Sequence, residues 1–444
     1  MGQDLFKITI RPRVGGAWPV AIEQRSGGDY FPLGVQGSLS LDLTSLREIA
    51  LDRRAYGTML GHALFRDGVL EVFVAALSRA RERLHIRLAI EDLSLRHEIA
   101  WGRLCAPIDG EWRYLHLNQR LAAAQLIASR STRVFPSLAT RDLATLLVAA
   151  SPINLASYRL QPFDAQGMIA RVQSELRGRH ITSLTSGGAE VPSLDAICRK
   201  LTERPYPLLH LICHGQFARD KSDTILYLEQ DDGSGMTEPV TGTRLIERLS
   251  QVGNLPHLIF LESCESAAGD AGTAVTGLAQ RLIEVLGVPV VIAMSDRVSM
   301  QSADQLAVMI YRHLRKHGTP DRALSEALAE INEQADALVP TLLTRREETT
   351  LFTPAGGIDL PIGTDPGSLR TILVAAFSAE EIEWLCAEVT TALRDAGRPL
   401  PISLEHIGGT SKDARVFRLV TEIDRYGALP FLITEMQQAK PGLL

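Results

Sequence analysis

The sequence predicts an α/β protein: a mostly parallel sheet with helices on both faces, preceded by an N-terminal α+β module and followed by a small all-α bundle. Three observations predict it. Between residues 142 and 338, short apolar runs rich in β-branched residues alternate with amphipathic stretches of helical period. Residues 1–125 mix strand-like alternation with one helical segment, and from about residue 367 only helical period remains. With 444 residues, 45% hydrophobic and 22% charged, the chain can fill more than one core.

Taken in order, KITIRP and LSLDL alternate like strands, 58–83 carries helical period, and HIRLAIE alternates again. A turn cluster at Pro107, Asp109 and Gly110 follows, and 117–128 reads as helix or extended linker, giving an N-terminal module over 1–130. The second domain, 140–340, holds the runs LATLLVAAS, HITSLT, LLHLICHG, HLIFLESC and VPVVIAMS. Helices are expected at 166–177, 194–202, 243–251, 275–286, 302–316 and 321–337. RREE then leads into a Pro- and Gly-dense linker, 345–366, where Arg345-Arg346 would suit self-cleavage. Over 367–444 the pattern predicts helices at 369–377, 379–396, 412–426 and 430–438, with a turn near 404–407. Ser378 and Glu381 form a capping box, and Gly427 is a helix stop.

Composition excludes several functions. The net charge of −6 and the lack of a Lys/Arg-rich run give no footprint for nucleic acid. The N-terminus has no signal-peptide pattern, and the longest apolar runs, 285–294 and 143–151, are too short to span a bilayer, so a cytoplasmic protein without membrane contact is expected. Cys105, Cys198, Cys213, Cys264 and Cys386 are odd in number and lack CxxC or metal spacing. Asp231-Asp232-Gly233 lacks the spacing of a calcium loop and reads as a hairpin turn. Gly187-Gly188 and Gly408-Gly409 lack the Lys-Ser/Thr of a phosphate loop. No metal or cofactor is expected.

Two strand runs finish in reactive side chains: LLHLIC leads to His214-Gly215, and HLIFLES leads to Cys264. Adjacent ends of a parallel sheet can bring a thiol and an imidazole together, and Gly215 lets its N–H approach a substrate carbonyl. Cys213 alternates to the opposite face and reads as core. The 50-residue separation of His214 and Cys264 matches the spacing of caspases. LLHLICHG, HLIFLESCESAAGD and the following GLAQRLIEVLGVPVVIAMSDRVSMQSADQLAVMIYRHLRKHGTPDRALSEAL resemble the CHAT domain, a branch of the caspase-like (clan CD) peptidases, over about 140–335. The resemblance implies a caspase-like fold with His214 as general acid/base, Cys264 as nucleophile, and the N–H groups of Gly215 and Cys264 as oxyanion donors. LHIRLAIEDLSLRHEIAWGRL resembles the stretch preceding many CHAT cores, with Ala100-Trp101-Gly102 where Pro-Trp-Glu is usual.

Glu262 lies two residues before Cys264 on the same strand face and, with Asp296, could line the pocket for the residue before the scissile bond. In metacaspases, which this family resembles, an Asp at the position matching Glu262 helps select Arg or Lys; the alternative is a Glu paired structurally. Glu265 and Ser266 read as shaping the loop after the nucleophile. The C-terminal helices resemble bacterial effector-associated or death-like adaptor domains, which bind partner proteins in prokaryotic immunity. The expected protein is a regulated cysteine endopeptidase effector acting on a protein target. The competing reading is a silent adaptor or scaffold with a caspase-like fold.

Overall fold

A computed structural model of the chain describes residues 3–26, 29–136, 138–139, 143–176, 179–218, 223–264, 272–296, 298, 300–332, 334–348, 350–353, 366–395, 411–425 and 428–440. It divides into two compact units, Met1–Thr353 and Pro354–Leu444. In the first unit the strands are β1 (Asp4–Ile10), β2 (Trp18–Ser26), β3 (Asp29–Leu39), β4 (Leu84–Ile90), β5 (Cys105–Ile108), β6 (Glu111–Tyr114), β7 (Leu121–Leu126), β8 (Leu138–Ala139) and β9 (Thr145–Ala150). There follow β10 (Ile181–Thr185), β11 (Leu208–Phe217), β12 (Thr224–Glu229), β13 (Thr237–Thr241), β14 (Leu258–Cys264), β15 (Val290–Met294), β16 (Pro340–Thr344) and β17 (Phe352–Thr353).

Thirteen of these strands form one sheet in the order β10-β9-β11-β14-β15-β16-β7-β4-β1-β2-β3, with β12 beside β11 and β13 beside β12. The sheet has two parallel blocks. β10, β9, β11, β14 and β15 run one way, β16, β7, β4 and β1 the other, and the blocks meet at the antiparallel β15/β16 pair. Strands from the N-terminal 126 residues therefore share the sheet of the central segment. In the first block β9 and β15 are almost wholly apolar and β11 and β14 largely so, because both faces of the sheet are covered there. Helices Leu194–Glu203, Gly242–Ser250 and Gly272–Glu284 contribute to the core on one face, and Ala165–Glu175, Met300–His317 and Pro320–Glu330 to that on the other. The side chains of Ser193, Thr241 and Asp164 cap three of these helices, accepting from Ala196, Arg244 and Gly167 N–H groups.

Several local expectations change. The segment 117–128 contributes strand β7, paired with β4 and β16, although LAAAQL favours a helix in isolation. The helical period over 58–83 resolves into two helices, Arg53–Leu64 and Asp67–Arg79. Asp231-Asp232-Gly233 sits in the turn between β12 and β13, where Gly233 has φ +74°. Arg345 is an anchor rather than an open cleavage site: its guanidinium donates to the Ser131 and Arg133 carbonyls and lies over the Phe135 ring, and its N–H donates to Pro289 O. The linker beyond Thr353, up to residue 365, lies outside the described residues.

The second unit packs helices Pro366–Ala376, Ala379–Asp395, Lys412–Arg425 and Leu429–Ala439 around a core that includes Leu373, Leu385, Val389, Leu419, Ile423 and Leu432. The capping box forms, with Glu381 N–H on Ser378 Oγ (3.1 Å) and Ser378 N–H on the Glu381 carboxylate (2.6 Å). The turn near 404–407, Gly408-Gly409 and Gly427 lie outside the described residues. Among the described residues, no helix is long and apolar enough to cross a membrane.

Candidate active site

His214 sits where β11 changes partner. Up to Cys213 the strand runs between β9 and β14; from His214 onward β12 takes over from β9, and His214 is in register with both Tyr227 and Cys264. Cys264 is the last residue of β14. The two candidate residues are thus direct neighbours across parallel strands, in the row above Ile212 and Glu262. The Cys264 side chain, with Glu265 and Ser266, lies outside the described residues. Cys213 points to the opposite face, 2% exposed, and burial pushes its thiol up to about 12, far from reactivity at neutral pH.

The His214 imidazole is 4% exposed and oriented by the loop after β9. Its Nε2 lies 2.6 Å from the Gln161 carbonyl oxygen. A carbonyl can only accept, so Nε2 carries the hydrogen and Nδ1 is the nitrogen able to take a proton. Phe163 packs edge-on at 5.5 Å between ring centroids, and its N–H is held by Ser151 Oγ at 3.0 Å. Ser151 N–H in turn reaches Ser186 Oγ at 2.7 Å. This chain of contacts fixes the tautomer and tilt of the ring through a backbone group, which leaves no side-chain signal in the sequence.

Gly215 is required by space rather than by backbone conformation. A Cβ there would stand 2.2 Å from Ser263 Oγ, and its φ is not among the left-handed ones. Ser263 is 4% exposed and its Oγ has no hydrogen-bond partner among the described residues.

The two acidic candidates have other engagements. Glu262 does not line an open pocket: it is fully buried, with Oε2 2.8 Å from His210 Nε2. Its direction follows from strand alternation, since residues 258, 260 and 262 share the face covered by Ala165–Glu175 and Met300–His317. Asp296, just past β15, lines a shallow pocket with Arg53, Gly102, Arg103, Ser295 and Leu338, and Arg103 Nη2 already holds its carboxylate at 3.1 Å. That contact joins the Ala100-Trp101-Gly102 turn region to the end of β15.

Against known proteins, the CHAT domain family model matches residues 59–354. Solved structures that match include the Arg-specific cysteine proteinase gingipain R, at 12% identity and a TM-score of 0.36, covering 61% of this chain and 64% of that one. A complex of the RgpB pro- and mature domains from Porphyromonas gingivalis matches at 13% identity and a TM-score of 0.38, covering 64% of this chain and 69% of that one. The chain thus spans under two thirds of the gingipain R chain. No curated protein matches.

Proposed function

Since the chain belongs to the CHAT-domain family, we propose that it is a cysteine endopeptidase in which Cys264 is the nucleophile and His214 the general acid and base. One observation carries the reading: His214 and Cys264 stand in register on adjacent parallel strands, with the imidazole fixed by the Gln161 carbonyl. In this mechanism His214 Nδ1 takes the Cys264 proton, and the thiolate attacks the peptide carbonyl. The N–H groups of Gly215 and Cys264 receive the oxyanion. His214 returns the proton to the leaving amine, and water releases the acyl group from Cys264. The pairings of Glu262 and Asp296 supply no free carboxylate for a basic substrate side chain, so the proposal carries no Arg or Lys preference.

The wider role proposed is a regulated effector, in bacterial immunity or conflict signalling, with the helical unit from residue 366 onward as the docking element for a controlling partner protein. Its separate core, closed by its own capping box, supports an autonomous module.

The test is a peptide library varied at the residue before the scissile bond, run with wild type, Cys264→Ala and His214→Ala, alongside labelling by an electrophilic peptide. Cleavage and labelling that both variants abolish are expected. Wild type that neither cleaves nor labels would favour the silent scaffold.

A further inference from the structure

Beneath His214 and Cys264, on the same two strands, lie two polar side chains that the chemistry does not use. His210 and Glu262 are both fully buried, and among the described residues the only hydrogen bond of their side chains is to each other, Nε2 to Oε2 at 2.8 Å. His210 Nδ1 and Glu262 Oε1 are buried without a hydrogen-bond partner among the described residues. Leu208, Ile212, Leu258 and Phe260 surround them on the same face, the His210 ring stacks flat on Phe260 at 4.5 Å, and Tyr311 lies tilted at 5.7 Å. A pair buried with half its polar atoms unsatisfied is a poor device for stability, and apolar residues of similar size would serve the core as well or better.

Its placement is what sets it apart. His210 is in register with Phe260 and Ile212 with Glu262, so the bond crosses diagonally from β11 to β14. These are the strands whose next rows carry His214 and Cys264. Resting on the reading of those two as the reacting pair, we propose that His210–Glu262 is a positioning pair: a cross-strand latch that fixes the sliding of β11 against β14 and so holds His214 level with Cys264. Displacement of about 1 Å along the strands is enough to spoil such a pair. Among the described residues, two further titratable groups that interact with Glu262 come from the helix Met300–His317. They are Tyr311, held well above its usual range by burial and by the Glu262 charge, and Asp304, itself paired with Arg171 from the helix Ala165–Glu175.

The test is the pH dependence of Cys264 alkylation by iodoacetamide, read by mass spectrometry on the full chain, together with thermal unfolding. Wild type should react near pH 6 at least about tenfold faster than His214→Ala, because a His-paired thiolate persists below the ordinary thiol range. The double variant His210→Phe/Glu262→Leu should melt no lower than wild type yet fall to the His214→Ala rate. Glu262→Gln, which can still hydrogen-bond His210, should stay within about threefold of wild type. A double variant with the wild-type profile overturns the proposal. So does one that fails to fold, since the pair is then a stability element, and so does a Glu262→Gln that loses the profile, which would make the role one of charge. If wild type and His214→Ala react alike, the reacting pair itself is wrong and the latch falls with it.

Discussion

Replacing Gly215 by Ala tests the packing that lets β11 carry His214 past its neighbours. The new Cβ would lie 2.2 Å from Ser263 Oγ, 3.3 Å from Leu226 Cδ2 and 3.4 Å from Ser263 Cβ. Only the first contact is impossible, and it forces either a rotation of the buried Ser263 side chain or a shift of the strand. Overpacking of this kind costs about 1–3 kcal/mol. Reduced freedom of the unfolded chain returns about 0.4–1 kcal/mol. A net loss of up to about 2.6 kcal/mol, centred near about 1.3, follows, read as a lower urea midpoint with unchanged slope. Any strand shift also moves the residue-215 N–H, and cleavage should fall by about 100-fold. Ser263→Ala alone should be neutral to within about 0.5 kcal/mol, because the Oγ it removes has no hydrogen-bond partner among the described residues. Combined with Gly215→Ala, it should recover both stability and activity. A double variant as unstable and inactive as Gly215→Ala would refute the argument, since the Ser263 Oγ collision is its whole basis.

Two further outcomes are expected. Asp321→Asn should cost about 3–5 kcal/mol, because Arg87 and Asp321 are both fully buried 2.9 Å apart and the guanidinium would lose its counter-ion; a urea midpoint close to wild type would disprove that. Burial holds His116 down at about 4 against 6.5 for a free His, so it is neutral in the folded chain. Its effect is absent above about pH 6.5, and stability falls by up to about 3 kcal/mol as pH drops from there toward 4, where the unfolded chain binds the extra proton. Urea midpoints between pH 4 and 7 should fall more steeply for wild type than for His116→Phe, and parallel curves would count against the assignment.

Much of the fold was legible because the first parallel block is covered on both faces, so its central strands show as largely apolar runs such as TLLVAA and VVIAM, between helices whose polar faces keep their period. His214 and Cys264 drew attention in the sequence because each follows such a run; in the structure Cys264 ends β14, whereas β11 continues past His214 to Phe217. β7 was not, since LAAAQL prefers a helix locally and becomes a strand only in the slot between β4 and β16. Nor was the continuity of the N-terminal and central strands, which depends on pairings that no local pattern encodes.

At the site the division is sharper. The sequence by itself determined which residue types follow the two apolar runs, and the alternation that puts Cys213 on the other face and Glu262 in line with residue 264. Tertiary structure alone decided how those residues are paired. Register between β11 and β14 matches His214 to Cys264 and lets His210 reach Glu262, the Gln161 carbonyl holds the imidazole through a group present in every residue, and Arg103 claims Asp296 from a turn nearly 200 positions away. Alternation is a property of one strand and can be read along it; register, backbone acceptors and distant counter-ions belong to pairs of segments and exist only once the chain has packed.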